Sequence, residues 1–394
     1  MLQIREELPY LTALRREFHQ HPELSLREFR TAGRIEEELD RFEIPHIRVG
    51  ETGVLGTLRG SGEGDGVVVL RADIDALPIQ ETSGADHGSL TPGVMHACGH
   101  DAHTACLLGA AKLLAKHRDC FGGEVRLVFQ PAEEVGRGAK PFIEAGVLDG
   151  AGRVFGLHVA SDLPAGVVGL KPGLNNAAVD HFKVSIRGKS AHVSTPQLGI
   201  DALYIASQTV VALQALVTRC TSPVEPVIIG VGKLDAGTTY NALAESAVLE
   251  GTTRTVSQEA RERVRELVSK AVRNTADTYG GHAEVEWTDF AAPLVNDRQA
   301  CGEAAAVAEQ LLGSRVITDR ELSLSGDNFA EYLLHVPGAY AYLGTANPKL
   351  PRTMSPGHNG NFDIDEETLA LGAGLYAGYA LSRLAGDGLS VSQF

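Results

Sequence analysis

The sequence predicts a mixed α/β protein carrying an inserted α+β segment, and three observations support that reading. Short apolar, β-branched runs alternate with helical stretches in the first half and again near the C-terminus, the pattern of a sheet layered with helices. From about residue 179 to 290 the pattern changes to strict polar/apolar alternation broken by two long helical runs. The 394-residue length exceeds what one core usually organises. The expected division is therefore 1–178 and 291–394 as the two parts of one larger domain, with 179–290 inserted between them.

At the N-terminus, Leu8, Leu11, Leu14 and Phe18 recur at helical spacing. A second helix is expected from Ser25, where Ser25 and Glu28 have the spacing of a capping box. Pro22 separates the two helices, because proline disfavours helical geometry in the residue before it. The apolar runs at 67–70, 124–129 and 153–157 read as strands buried on both faces, with a helix over 104–116 between the first two. In the insertion, Phe182, Val184 and Ile186 alternate with polar residues. A helix over 201–216, strands at 227–231 and 247–250, a helix over 258–279 and a strand at 283–287 follow. That β-α-β-β-α-β order is ferredoxin-like. A helix at 304–312, a strand at 340–343 and a helix over 366–384 complete the larger domain.

Composition narrows the function classes. There are 35 Lys and Arg against 50 Asp and Glu, a net charge of -15, and no basic block, so the field repels polyanions and nucleic acid is not an expected partner. No stretch approaches the roughly 18 apolar residues a membrane span needs, and the N-terminal residues form neither a signal nor a transit peptide. Five scattered cysteines do not suggest a disulfide framework, and a reducing, cytoplasmic location is expected.

Residues suited to metal chemistry gather at strand ends. Asp73 and Asp75 follow the run at 67–70, and ligands in such sheets collect beyond the carboxyl ends of strands. Cys98 and His100, within a segment that also holds His96, Asp101 and His103, pair a thiolate with an imidazole, both favoured by zinc-like cations. The same segment also fits a plain helix start capped by Asp101. Glu133 and Glu134 close the strand at 124–129; a turning backbone there would let one carboxylate bind metal while the other faces water. His158 ends the next strand, and His358 sits in a Gly/Pro-rich loop. Taken singly, each has a plain structural explanation. Together, several segments of one sheet offer metal-type donors.

In that order, Arg71-Ala-Asp73-Ile-Asp75-Ala-Leu-Pro, His96-Ala-Cys98-Gly-His100-Asp, Gln130-Pro-Ala-Glu133-Glu134, Gly156-Leu-His158 and His358-Asn359 closely resemble the M20 metallopeptidase superfamily. The nearest branch is the amidohydrolases: hippurate hydrolases, auxin-conjugate hydrolases and N-acyl amino acid aminoacylases. The resemblance runs from Arg15 to about Leu381. It implies a zinc exopeptidase-like, mixed-sheet catalytic domain with a ferredoxin-like lid and dimerisation domain, and hence a homodimer formed through that lid.

Residue by residue, the resemblance implies that Cys98, His100, Glu134, His158 and His358 hold two divalent metal ions per subunit (zinc, manganese or cobalt), with Cys98 bridging. Glu133 would be the general base and Asp73 the carboxylate that orients a ligand. Gly188-Lys-Ser-Ala-His192 matches the family's lid signature and makes His192 an oxyanion donor. Asn241 and Arg254 match positions that hold a substrate carboxylate. The implied activity is cleavage of the amide bond of N-acyl amino acids, with dipeptidase or aminopeptidase action on the same dinuclear site as the alternative. From other classes, Cys98 as the nucleophile of a thiol hydrolase and a catalytically silent binding protein also stay open. Two departures bear on specificity: Asn241-Ala-Leu-Ala244 where the family reads Asn-x-Ile-Pro, and Gly326-Asp327-Asn328-Phe329 where it reads Ser-Glu-Asp-Phe.

Overall fold

A computed structural model describes residues 2–311 and 315–385, which form two compact units. Of the described residues, the larger unit takes 2–173, 295–311, 315–321 and 328–385, and the smaller 174–294 with 322–327.

The larger unit is built on an eight-stranded mixed sheet in the spatial order His46–Val49, Gly53–Arg59, Glu124–Gln130, Val67–Asp73, Arg153–Pro164, Gly338–Ala346, Val167–Gly169, Arg315–Ile317. The central strands Glu124–Gln130, Val67–Asp73, Arg153–Pro164 and Gly338–Ala346 run parallel, so their carboxyl ends open on the same edge. Their apolar runs are buried as continuous hydrophobic strands require: Val68, Leu70, Leu127, Phe129, Phe155, Ala341 and Leu343 all belong to one core. Helices Leu8–Gln20, His100–Lys116 and Leu369–Leu384 contribute Leu11, Leu14, Phe18, Leu107, Leu114, Leu371 and Tyr376 to the same core. Completing all those ligand-type segments at one edge therefore follows from the parallel topology.

The smaller unit is a four-stranded antiparallel sheet in the order His282–Ala291, Ala178–Arg187, Ser246–Thr255, Val227–Ala236, with helices Ala202–Arg219 and Gln258–Thr278 packed on it. Phe182, Val184 and Ile186 point into its core while Lys183, Ser185 and Arg187 do not, which is the alternation the sequence shows. Asp201 and Ser257 cap the two helices through their side chains.

Three local expectations need correction. The second helix begins at Phe29, and Ser25 and Glu28 form no capping box. Ser25 Oγ instead donates to Asp75 Oδ2 at 2.6 Å, and the buried Glu28 carboxylate accepts from Thr52 Oγ1 at 2.8 Å and from the Ala132 N–H at 2.9 Å. Buried tertiary partners outcompete a solvent-exposed cap. The helix expected from residue 104 begins at His100, and Gly99, not Asp101, is its N-cap residue. The helix expected over 304–312 spans Arg298–Gln310 behind an Asp297 cap, and residue 312 lies outside the described residues.

Candidate metal centre

Cys98 and His100 flank Gly99 at the start of helix His100–Lys116. Gly99 has φ +90°, and a Cβ placed there would lie 2.3 Å from Val159 Cγ2, so the close approach of this turn to the neighbouring strand requires glycine. The helix then carries His103 and Thr104 beneath His100, where Thr104 Oγ1 donates to the His100 carbonyl at 2.8 Å.

Beyond strand Glu124–Gln130, Ala132 has φ +54°, the turn that the adjacent Glu133 and Glu134 need in order to leave extended geometry. The Ala132 N–H is held by Glu28, and the Glu134 N–H donates to Asp75 Oδ2 at 3.0 Å. His358 also sits at positive φ, +62°, with its N–H donating to the Ala97 carbonyl at 2.7 Å. A left-handed backbone at a non-glycine residue costs about 1–2 kcal/mol and persists here because that hydrogen bond ties the His358 loop to the Cys98 segment.

These elements bring five side chains together. Cys98 Sγ lies 3.4 Å from His158 Nε2, Glu134 Oε1 lies 3.8 Å from His100 Nε2, and Glu134 Oε2 lies 3.5 Å from His358 Nε2. Donor atoms of Cys98, His100 and His158 all lie within 4.8 Å of one another, as do those of Cys98, Glu134 and His358. Cys98 is common to both groups. Ligand–metal bonds of about 2.1–2.3 Å imply ligand–ligand spacings of roughly 3.4–3.8 Å, which these separations match.

Hydrogen bonding at the far ring nitrogens selects the tautomers. His100 Nδ1 donates to the Asp75 carbonyl at 2.9 Å and His158 Nδ1 to the Val159 carbonyl at 2.7 Å, which leaves each Nε2 as a lone-pair donor on the inner side. His100 Nε2 and Glu134 Oε1 are buried and have no hydrogen-bond partner among the described residues. Buried polar atoms are rarely left so, and the chemistry of the set, one thiol, three imidazoles and a carboxylate, fits a pair of divalent cations.

Electrostatics agrees with a site made for positive charge. Burial and then the Glu134 charge push the Cys98 thiol up, and burial and then His103 push His158 down. Burial opposes charge on His100, but Asp73 and Cys98 outweigh it and raise its pKa. A bound cation would reverse the tendencies of Cys98 and His100 and reinforce that of His158, because it favours thiolate and neutral imidazole.

Asp73 lies 3.8 Å from His100 Nε2, but its closest partners are His103 Nδ1 at 2.5 Å and Arg71 Nη1 at 2.6 Å. Burial raises its carboxyl, but His100, then Arg71 and His103, outweigh it and hold it well below the usual range. The residue behind His100 Nδ1 is Asp75, through its carbonyl and through Oδ1 at 3.3 Å. The orienting part expected of Asp73 therefore falls to Asp75 for His100, while Asp73 orients His103, whose Nε2 accepts the Val159 N–H at 2.9 Å next to His158. The strand ends at Asp73, so Asp75 reaches His100 from the turn beyond it.

Glu133 is buried at 5% exposure, and its Oε1 accepts the Asn328 N–H at 3.3 Å. With His100 and Glu134 it forms another close donor group. In the smaller unit, His192 is exposed with Nδ1 2.7 Å from Ser194 Oγ, and the Val193 N–H donates to the Asn241 carbonyl at 3.1 Å, which sets the His192 and Asn241 segments side by side. Arg254 is half-buried, with Nη1 donating to Thr252 Oγ1 at 2.6 Å and to the Thr253 carbonyl at 3.1 Å. Burial lowers its pKa.

The family model for peptidase family M20/M25/M40 matches residues 69–382. The chain belongs to that family. It is a hydrolase of the M20 group, as the expected fold and enzyme class require. It is 42% identical over 361 residues to the N-acetyl-L-cysteine deacetylase of Bacillus subtilis (strain 168), covering 91% of this chain and 84% of the relative. It is 37% identical to thermostable carboxypeptidase 2 of Saccharolobus solfataricus, covering 94% of each chain. To the IAA-amino acid hydrolase ILR1-like 4 of Arabidopsis thaliana it is 36% identical, covering 95% of this chain and 86% of the relative.

Among solved structures, a Bacillus subtilis protein described as a dinuclear metal binding peptidase from the M20 family superposes with a TM-score of 0.80 at 36% identity, covering 95% of this chain and 97% of that one. A protein from methicillin-resistant Staphylococcus aureus matches with a TM-score of 0.89 at 34% identity, covering 97% of this chain and 98% of that one. The M20 catalytic sheet and its inserted α+β unit are thus those expected from the pattern of elements. No helix among the described residues of this M20 enzyme is long and apolar enough to cross a membrane.

Proposed function

We propose that this M20 hydrolase cleaves the amide bond of N-acyl amino acids with two divalent cations per subunit. In this reading Cys98, His100, His158, Glu134 and His358 would hold the cations, Cys98 belonging to both close donor groups. The observation that carries it is the convergence of these donors with His100 Nε2 and Glu134 Oε1 buried and without hydrogen-bond partners among the described residues. Cations bound there would supply the chemistry of lowering the pKa of a water and polarising the scissile carbonyl.

The chain's own residues do the remainder. Glu133, one residue from a ligand and oriented by the Asn328 N–H, takes a proton from the attacking water as its oxygen adds to the carbonyl carbon. Glu133 then delivers that proton to the amide nitrogen as the C–N bond breaks, releasing a carboxylate and a free amine. His192 donates to the developing oxyanion, and Asn241 and Arg254 hold the substrate carboxylate, Arg254 through its planar pair of N–H groups. Asp75 and Asp73 hold His100 and His103 in place behind the centre.

The relatives named for N-acetylcysteine and for IAA-amino acids support an acylated amino group in the substrate. The relative named a carboxypeptidase favours a second reading, action on peptides at the same centre. A homodimer formed through the smaller unit and a cytoplasmic location complete the proposal.

Elemental analysis of the purified protein, together with a hydrolysis panel of N-acetyl-L-cysteine, N-benzoylglycine, an indole-acetyl amino acid and free-amine dipeptides, tests it. Two equivalents of zinc, manganese or cobalt and preference for the acylated substrates are expected. Preference for the dipeptides selects the second reading. Resistance to chelators combined with inactivation by thiol alkylation would instead make Cys98 a nucleophile.

A further inference from the structure

Behind Glu133 lies a buried polar relay that the reaction scheme above touches only through the Asn328 N–H. Arg71, Gln130 and Asn328 are each 0% exposed. Asn328 Oδ1 accepts two hydrogen bonds of 2.9 Å, one from Arg71 Nη2 and one from Gln130 Nε2. Gln130 Oε1 in turn accepts from Arg71 Nε at 3.0 Å and from Tyr332 Oη at 3.2 Å. With the Gln130 oxygen engaged by those donors, its amide nitrogen must face an acceptor, and this orients Asn328 with its oxygen toward Gln130 and Arg71. The side chain of Asn328 is anchored in this way while its backbone N–H donates to Glu133 Oε1.

We propose that Asn328 is a positioning residue for Glu133. Its amide oxygen, gripped by Arg71 and Gln130, locks the backbone so that the N–H of residue 328 holds one carboxylate oxygen of the base. The chain has two features that suit this. Asp73 supplies Arg71 with a carboxylate at 2.6 Å, so the neutral amide adds acceptor capacity beside the base without a further buried charge. Ala132, with its left-handed backbone, fixes the base from the opposite side of the sequence through Glu28. Misplacing a reacting group by about 1 Å can cost on the order of 100-fold in rate, so an anchor with this geometry has a measurable role. The inference rests on the reading of Glu133 as the base.

The test uses metal-loaded enzyme and the fastest substrate of the hydrolysis panel. Asn328→Leu keeps the volume and removes the acceptor. The expected result is a kcat lower by roughly 100-fold, KM within about threefold of the parent and an unchanged metal content. Asn328→Asp restores an acceptor of the same shape and should recover at least about tenfold over Asn328→Leu. Combining Asn328→Leu with Glu133→Gln should add little to the loss from Glu133→Gln alone, because residue 328 acts through residue 133. Should Asn328→Leu fail to fold, Asn328→Ala, which also lacks an acceptor, carries the same cycle.

The inference is overturned if the leucine variant keeps a kcat within about threefold of the parent, or if its loss persists undiminished on top of Glu133→Gln. An inactive Glu133→Gln beside a parent-like Asn328→Leu removes this inference alone. A fully active Glu133→Gln removes the base reading and this inference with it.

Discussion

Replacing Gly99 by alanine should destabilise the protein by about 2–5 kcal/mol, and most of that should vanish when Val159 is shortened as well. Two separable costs make up the figure. A left-handed backbone at φ +90° costs an L-residue about 1–2 kcal/mol. The new Cβ would lie 2.3 Å from Val159 Cγ2, against an ordinary carbon–carbon contact of about 3.5–4.0 Å. The helix start or the strand must therefore shift by roughly 1 Å, an overpacking worth about 1–3 kcal/mol. Val159→Ala deletes the colliding methyl at its own cost of about 1–3 kcal/mol, and in that background Gly99→Ala should cost only its backbone share.

Equilibrium urea unfolding of the four proteins, at one fixed metal concentration because bound ligand adds to stability, gives the coupling directly. A favourable coupling of about 1–3 kcal/mol is expected. A coupling below about 0.5 kcal/mol, the scatter of independent sites, would refute the steric argument. Because Cys98 and His100 flank Gly99, the single variant should also bind its cations more weakly than the double variant.

Glu133→Gln should lower kcat by about 10²–10⁴-fold with metal content intact, as read by steady-state kinetics and elemental analysis. Arg15→Met should cost about 3–5 kcal/mol in unfolding free energy. It strips the buried Asp101 and Asp363 of a guanidinium that reaches each at 2.8 Å, and because Asp101 follows His100 and Asp363 follows His358, it should also weaken metal binding. Glu81 titrates at about 2: burial raises its carboxyl, but His19, Ser83 and the Ser89 N–H outweigh it and lower it from 4.5. A lowered folded-state pKa stabilises above the unfolded value and is lost as pH falls, so this group's share, at most about 3 kcal/mol, should disappear between about pH 4.5 and 2. Glu81→Gln should flatten the acid limb of a stability-against-pH curve in that window. Chelator treatment should abolish hydrolysis and lower the unfolding temperature, and zinc, manganese or cobalt should restore both.

Much of this protein was legible from residue order alone. Continuous apolar runs at 67–70, 124–129 and 153–157 identify strands buried on both faces, because only such strands can afford no polar side, and the alternation of Phe182, Val184 and Ile186 identifies a sheet with one wet face. Local periodicity reports burial, and burial follows the sheet. The donor residues were visible for the same reason: Cys98, His100 and Glu134 follow strands whose carboxyl ends share an edge, whereas His158, expected at the end of its strand, lies inside Arg153–Pro164 because the ladder with Gly338–Ala346 continues past it. What only the tertiary structure decided are partnerships between residues far apart in the chain. Ser25 turns to Asp75 and Glu28 to Ala132 in place of a local cap, Asp75 and not Asp73 backs His100, and Asn328 reaches Glu133 across 195 positions. A hydrogen bond depends on angle and on the absence of water, and neither is encoded in spacing along the chain.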